Sequence, residues 1–477
     1  MTSPPDDLAF LSAAALARLV RAREVSPVDL VELYLGRIER LDPRLCAFIT
    51  VCADDARRVA REAEQAFALG GAAGPLHGLP FAVKDQFHAK GLRTTAGSRI
   101  HDETPADDDA TVVARLKAAG AILLGKLSLS EFALGGTVSF PFGQPRNPWH
   151  PDHHPGGSSG GSGIATAAAL AAFTLGEDTG GSIRGPASHC GVVGLRATWG
   201  LISRHGVWCA SWSMDVAGPL TRTVEDAALV LGVLAGHDAK DRLTSRRPVP
   251  PYRAALTGDV NGLRVGLVRE LTHGEATDPE VRHAVLEAAG VLTKLGAVVE
   301  EISLPILDVS GAAFMAICDS EAASAHQAWL RSRPADYDQA TRRRLYTASL
   351  LPSALYHQAM RARARIRQEI MAALGGHDVL LSATQAAAAP PIASEALPVT
   401  SKPDAARRFF GHRAHTTPYS LAGVPAISVP CGFSSAGLPI GLQLAGRAFD
   451  ESTVLRAAHA YEQATAWHTR RPPLATG

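Results

Sequence analysis

The chain has 477 residues, 46% of them apolar, and a formal net charge of +1. It is long enough for a large buried core, and length alone admits two or three domains. Balanced charge without long runs of one sign argues against a nucleic-acid footprint or a polybasic membrane patch.

Six cysteines (Cys46, Cys52, Cys190, Cys209, Cys318 and Cys431) lack C-x-x-C spacing. They read as small buried residues in a reducing compartment, not as a disulfide framework or a zinc site. The opening M-T-S-P-P-D-D-L has neither the basic nor the apolar region of a secretion signal. No run of eighteen apolar residues occurs, and the nearest stretch, Ile164 to Leu175, reads as a buried Ala-rich helix. The expected location is cytoplasmic.

Ser26, Pro27 and Asp29 start a helix by capping, by a fixed φ and by favourable charge near the N-terminus. Its apolar spacing runs through Leu41, and Asp42-Pro43 is expected to end it. A second helix covers about Ala53 to Leu69. The two read as an N-terminal arm, a packing layer or, less simply, an oligomer contact.

Leu79 to Val83 reads as a buried strand ending at Lys84-Asp85, and Ala121 to Gly125 as another leading to Lys126. Composition does not choose between the two lysines. Asp107, Asp108 and Asp109 precede a helix over Ala110 to Ala119 and are expected to cap it. His150, Asp152, His153 and His154 form the His-rich cluster, which reads as a loop between prolines more readily than as a metal site.

Farther on, Leu263 to Val268, a helix opening at Asp278-Pro279 and Ala297 to Ile302 form a strand–helix–strand unit. Residues 311 to 374 read as helical, with a basic face carrying Arg361, Arg363, Arg365 and Arg367. That face is a solvated surface by default; the alternative sends one Arg to a substrate pocket. Gln385 to Pro403 is an Ala/Pro-rich loop, followed near the end by a strand over Ile440 to Ala445 and a helix over Glu451 to Thr465.

Two glycine–serine clusters dominate the middle. The first, Gly156 to Gly163, holds Ser158, Ser159 and Ser162; the second is Gly180-Gly181-Ser182 after Glu177-Asp178-Thr179. Glycine at this density serves backbone at φ > 0 or N–H groups brought close to something bound. Serines among such glycines are candidates for a nucleophile beside an oxyanion hole, although capping of a helix near Ile164 is a plainer use. No G-K-[ST] follows, which disfavours a nucleotide site.

The order G-G-S-S-G-G-S-G, an Ala-rich segment, D-T-G-G-S-I-R and C-G-V-V-G-L resembles the amidase signature family of Ser–Ser–Lys hydrolases. Gly78 to Asp85, Gly218 to Ala228 and Gly423 to Gly432 extend the resemblance over roughly residues 10 to 472. It implies an α/β fold: a single large domain with a mixed, mostly parallel central sheet covered by helices. Within residues 1–477, about 1–70 would be the helical arm, about 71–240 the signature core, and about 241–477 the remainder with substrate-pocket loops.

By the same resemblance Ser182 is the nucleophile, Ser158 the bridging serine behind a cis Gly157–Ser158 peptide, and Lys84 the base. The backbone N–H groups of Thr179, Gly180, Gly181 and Ser182 form the oxyanion hole, with Asp178 and Arg184 as turn supports. Neither cofactor nor metal is implied. The base must be neutral, so activity is expected to rise toward alkaline pH.

The resemblance implies an amidase cleaving a small linear amide to a carboxylate and ammonia or an amine. The alternatives are the glutamine-hydrolysing subunit of a tRNA-dependent amidotransferase, and a urea or carbamate hydrolase. A catalytically silent scaffold is the reading from another class, and the intact triad positions speak against it. Expected partners are a small-molecule amide and no nucleic acid or membrane, with a homodimer common in the family. Two motifs depart from free amidases: Gly194-Leu195-Arg196-Ala197-Thr198-Trp199-Gly200-Leu201, and Val216 after Ser213-Met214-Asp215. Trp199, Trp208 and Trp212 are candidates for an aromatic pocket or for core.

Overall fold

The computed structural model describes residues 6–70, 74–100, 104–392, 401 and 414–476. The short apolar runs become the strands β1 (Phe48–Val51), β2 (Pro80–Lys84), β3 (Ile122–Leu127), β4 (Phe173–Asp178), β5 (Val193–Arg196) and β6 (Val216–Thr221). The second half adds β7 (Arg264–Val268), β8 (Val298–Ile302), β9 (Val379–Ala383), β10 (Ala426–Phe433) and β11 (Pro439–Gly446). They share one sheet in the order β1-β3-β2-β4-β6-β5-β10-β11-β9-β7-β8. β2, β4, β6, β9 and β11 are buried at every position, as strands covered on both faces must be. Edge strand β8 exposes much of its length and carries Glu300 and Glu301, which discourages pairing with another chain.

The sheet is mixed, but the expected parallel majority does not hold. Among the described residues six ladders are antiparallel and four parallel. Parallel pairs form where a helix crosses over, as Thr111–Ala118 does between β2 and β3 and Pro279–Lys294 between β7 and β8. The turn from β10 to β11 is too short for a crossover and makes them antiparallel.

The first long helix, Pro27–Leu45, runs past Pro43 to an αL cap at Cys46. Asp42 offers its carboxylate to the N–H groups of Ala47 and Phe48, so the chain turns one residue beyond the helix and not at the proline. Arg37 on this helix is buried and donates to the carbonyls of Ala168, Ala169 and Ala475. That contact joins the arm to the main core and favours the packing-layer reading.

The same arginine marks where the expected Ile164-to-Leu175 helix stops. The helix is Gly160–Ala167, Ala169 takes φ 49°, and β4 begins at Phe173. An Ala-rich run does not reveal this break, because the carbonyls released by the helix end are met by a residue more than a hundred positions away. The acidic triplet does not cap its helix either. Ala110 is the N-cap residue, while Asp109 accepts from the Lys90 N–H and pairs with Lys117. The region 311 to 374 divides into Ser310–Ser332, Gln339–Ser349 and Ser353–Gly376. Of the Gln385-to-Pro403 loop, residues 393–400, 402 and 403 lie outside the described residues; so do residues 1–5 at the start.

Candidate active site

Parallel pairing of Phe81, Ala82 and Val83 with Phe173, Thr174 and Leu175 carries the ends of β2 and β4 to the same level. Lys84 therefore emerges beside Glu177. Its Nζ donates to Ser158 Oγ at 2.8 Å and lies 3.1 Å from Glu177 Oε2 and 3.4 Å from the Glu177 carbonyl. Lys126, the competing lysine, points elsewhere: its Nζ is 2.7 Å from Asp85 Oδ1 and donates to the Arg93 carbonyl at 3.1 Å. Both lysines are fully buried, but only Lys84 meets a serine of the glycine-rich stretch.

The peptide between Gly157 and Ser158 is cis. The following serines do not cap the helix that starts at Gly160; no side chain caps it at Ser159. Ser159 Oγ donates to the Glu177 carbonyl at 3.1 Å and Ser162 Oγ to the Leu175 carbonyl at 3.0 Å, which ties the glycine loop to β4. Ser159 N–H also donates to the Ser182 carbonyl at 3.3 Å, joining that loop to the second cluster.

Asp178 organises the turn that carries Ser182. Its carboxylate accepts from Gly181 N–H at 2.8 Å and Ile183 N–H at 3.2 Å, and from the guanidinium groups of Arg184 and Arg196. The Gly181 donor is thus taken up inside the turn. Among the described residues, no hydrogen bond of this kind engages the N–H groups of Thr179, Gly180 or Ser182. Arg184 continues to the Thr416 carbonyl, Gln443 Oε1 and Ser420 Oγ, and Thr416 Oγ1 donates to the Gly180 carbonyl at 2.6 Å. Gly181 sits at φ +128°, and a Cβ on it would lie 2.2 Å from Thr416 Oγ1. A Cβ on Gly180 would strike the Phe314 ring at 2.4 Å. These two positions need glycine.

Burial shapes the charges. It lowers the Lys84 pKa, against the pull of Glu177, and so favours the free amine. Burial and the neighbouring Glu177 carboxylate push Asp215 well above the usual carboxyl range. Burial acts to raise Asp178 too, but Arg184 and Arg196 hold it well below that range. Arg196 falls to about 10, because burial outweighs its share of the one carboxylate it divides with Arg184.

The remaining candidates disperse. The His150 ring packs edge-on against His153 at 4.3 Å within a loop pinned by His154 N–H to the Pro390 carbonyl. Among the described residues no group of three or more His, Cys, Asp or Glu gathers as metal ligands. Trp199 lies under the Arg204 guanidinium, Trp212 is exposed, and Trp208 stacks on Trp329 at 5.3 Å beside Phe132, so the three tryptophans line no common pocket. Arg363 holds the Leu421 carbonyl and Ser213, and Arg367 the Ala422 carbonyl, while Arg365 pairs with Glu369; the basic face anchors its helix. Sequence reasoning passed over Glu177 and Asp215. The available signal was the acidic pair Glu177-Asp178 closing a strand, directly before Thr179-Gly180-Gly181 gives way to Ser182.

A family model described as Amidase matches residues 29–455. The chain is 43% identical to a glutamyl-tRNA(Gln) amidotransferase subunit of Geotalea daltonii, over 95% of this chain and 97% of that one. Among solved structures it resembles the peptide amidase of Stenotrophomonas maltophilia, at 34% identity and TM-score 0.85, covering 98% and 99% of the two chains. It also resembles a chain from a vestigial protein complex described as revealing the evolutionary origins of an s-triazine catabolic enzyme, at 35% identity and TM-score 0.88, covering 95% and 98%. Among the described residues no helix is long and apolar enough to cross a membrane.

Proposed function

The chain belongs to the amidase signature family, whose members hydrolyse carbon–nitrogen bonds other than peptide bonds, and on that premise we propose that it cleaves an amide through a Ser182 acyl-enzyme. The observation that carries this chemistry is Lys84 Nζ on Ser158 Oγ at 2.8 Å. Neutral Lys84 takes the Ser158 proton as Ser158 takes that of Ser182, and Ser182 Oγ attacks the carbonyl carbon. The N–H groups of Thr179, Gly180 and Ser182 face the oxyanion, and Gly181 N–H stiffens the turn that aims them. Ser158 returns a proton to the leaving nitrogen, and water then releases the acid.

For the substrate, identity to the glutamyl-tRNA(Gln) amidotransferase relatives over nearly the full length favours the glutamine reading over a free-standing amidase. In this reading the chain releases ammonia from glutamine and works beside companion proteins on a charged tRNA. It thereby acquires an RNA-containing assembly as partner, which its near-zero charge did not suggest. The second reading, a free amidase acting on a small linear amide, is favoured by the sequence departures at Trp199, Leu201 and Val216. The test is ammonia release from glutamine by the purified chain, alone and with the companion proteins of an amidotransferase, beside Ser182→Ala. Glutamine turnover that requires Ser182 supports the first reading. Turnover of anilides or peptide amides by the chain alone, with glutamine untouched, moves the assignment to the second.

A further inference from the structure

Behind the nucleophile turn, six chargeable side chains meet with almost no exposed surface: Lys84, Arg184 and Arg196 against Glu177, Asp178 and Asp215. Arg184 and Arg196 close on Asp178, and Arg196 also reaches the Met214 carbonyl next to Asp215. Lys84, Glu177 and Asp215 remain. Glu177 stands near the end of β4 with Oε2 on Lys84 Nζ at 3.1 Å and Oε1 accepting from Thr179 Oγ1 at 2.8 Å. Asp215 stands just before β6, opposite that strand end, and both its oxygens accept from Ser211 N–H at 3.1 Å. The 200–215 loop adds Arg204 and Cys209 to the surroundings of the trio.

If all six groups are ionised, their charges cancel, but Lys84 is then an ammonium and cannot act as a base. A neutral Lys84 leaves one negative charge in surplus, and an uncompensated charge away from water is costly. One proton on a carboxyl group removes the surplus.

We propose that Glu177 and Asp215 are positioning residues of the serine relay: Asp215 carries the proton that Lys84 must lack, and the Glu177 carboxylate receives the Lys84 N–H and so turns the amine lone pair onto Ser158. The inference rests on the reading of Lys84 as the base. One N–H bond is lost on Lys84 and one O–H bond is gained on Asp215, so no net charge enters the cluster. When Ser158 then gives its proton to Lys84, the ammonium forms 3.1 Å from a carboxylate already in place. The opposite displacements of Lys84 and Asp215, one toward losing its proton and the other toward keeping it, agree with this division.

The test reads Ser182 directly, without a known substrate: the rate of labelling by a fluorophosphonate, followed against pH in the wild type, Ser182→Ala, Glu177→Gln and Asp215→Asn. Glu177→Gln keeps the shape but removes the negative charge facing Lys84, so its acid limb moves to lower pH by at least about one unit. Its plateau also falls, by about tenfold or more, as the amine loses its orientation. Asp215→Asn mimics the protonated carboxyl and keeps the midpoint of the limb in place. The inference is overturned by a Glu177→Gln midpoint equal to wild type, or by an Asp215→Asn midpoint displaced to lower pH as far as that of Glu177→Gln. Either isosteric variant decides alone if the other fails to fold. If wild-type labelling does not exceed that of Ser182→Ala, the Ser182 reading fails first, a result distinct from a labelled enzyme whose variants do not shift.

Discussion

Lys126 Nζ lies 2.7 Å from Asp85 Oδ1, and neither side chain has any exposed surface. Lys84 and Lys126 stand at or next to the ends of neighbouring strands after similar apolar runs, and both close a buried ion pair, yet Lys84 alone of the two also meets Ser158. Removing the partner of a buried charge costs about 3–5 kcal/mol. Lys126→Met is therefore expected to lower the melting temperature markedly while the folded fraction keeps its turnover. Lys84→Met likewise strips the buried Glu177 of its partner, so it too is expected to melt lower, but its folded fraction also loses about 10²–10⁴-fold in rate, the usual contribution of a positioned base. Paired melting curves and rates on the same samples check both, and loss of activity in Lys126→Met at full stability would refute the division of roles.

Gly181→Ala places a methyl 2.2 Å from Thr416 Oγ1 on a backbone at φ +128°. Thr416 holds the Gly180 carbonyl, so relief of the clash displaces the turn that presents the Thr179, Gly180 and Ser182 N–H groups. The expected loss in kcat is about 10²–10³-fold, comparable to losing one oxyanion donor. Circular dichroism beside the rate separates this from unfolding; a Gly181→Ala variant with wild-type kcat would show that the turn tolerates displacement.

The parts legible in sequence were those with local grammar. Ser26 and Asp278 cap their helices, and the glycine–serine clusters fall where the site lies. What stayed hidden depends on partners distant in the chain. Arg37 donates to the Ala168 and Ala169 carbonyls just past the Gly160–Ala167 helix, and Asp109 turns to Lys90 and Lys117, away from its own helix start. Composition leaves Lys84 and Lys126 equal and only the resemblance separates them, whereas in the structure the register of β2 against β4 brings Lys84 to Ser158; Glu177 is hidden in the sequence because its partner lies 93 positions upstream. The antiparallel majority likewise comes from which strands meet, a property of the assembled sheet.

Asp178→Asn leaves two buried guanidinium groups without their shared carboxylate. The expected cost is about 3–5 kcal/mol. The pH dependence follows from the direction of the shift. Arg184 and Arg196 hold the folded Asp178 pKa below its unfolded value of about 3.9. The stabilisation is thus present above that value and is lost as pH falls from it toward the folded pKa. In acid titrations the wild type is expected to lose stability below about pH 4, and the Asp178→Asn curve to be flatter there. Parallel curves for the two proteins would remove Asp178 from the account.

The rate should follow Lys84. Burial lowers its pKa in the folded protein, so the free amine is present over a wider range than for an exposed lysine near 10.4. The base is active when neutral; kcat/KM is therefore expected to rise with pH through the lowered pKa and to level off before the usual lysine value. Stability has the same sign. The unfolded chain binds this proton more tightly than the folded one, so acidification between the two pKa values favours unfolding. A rate that is flat between about pH 6 and 9, with the chemical step shown to be rate-limiting, would argue that Lys84 does not gate the relay. A limb that remains in Lys84→Met would assign it to another group.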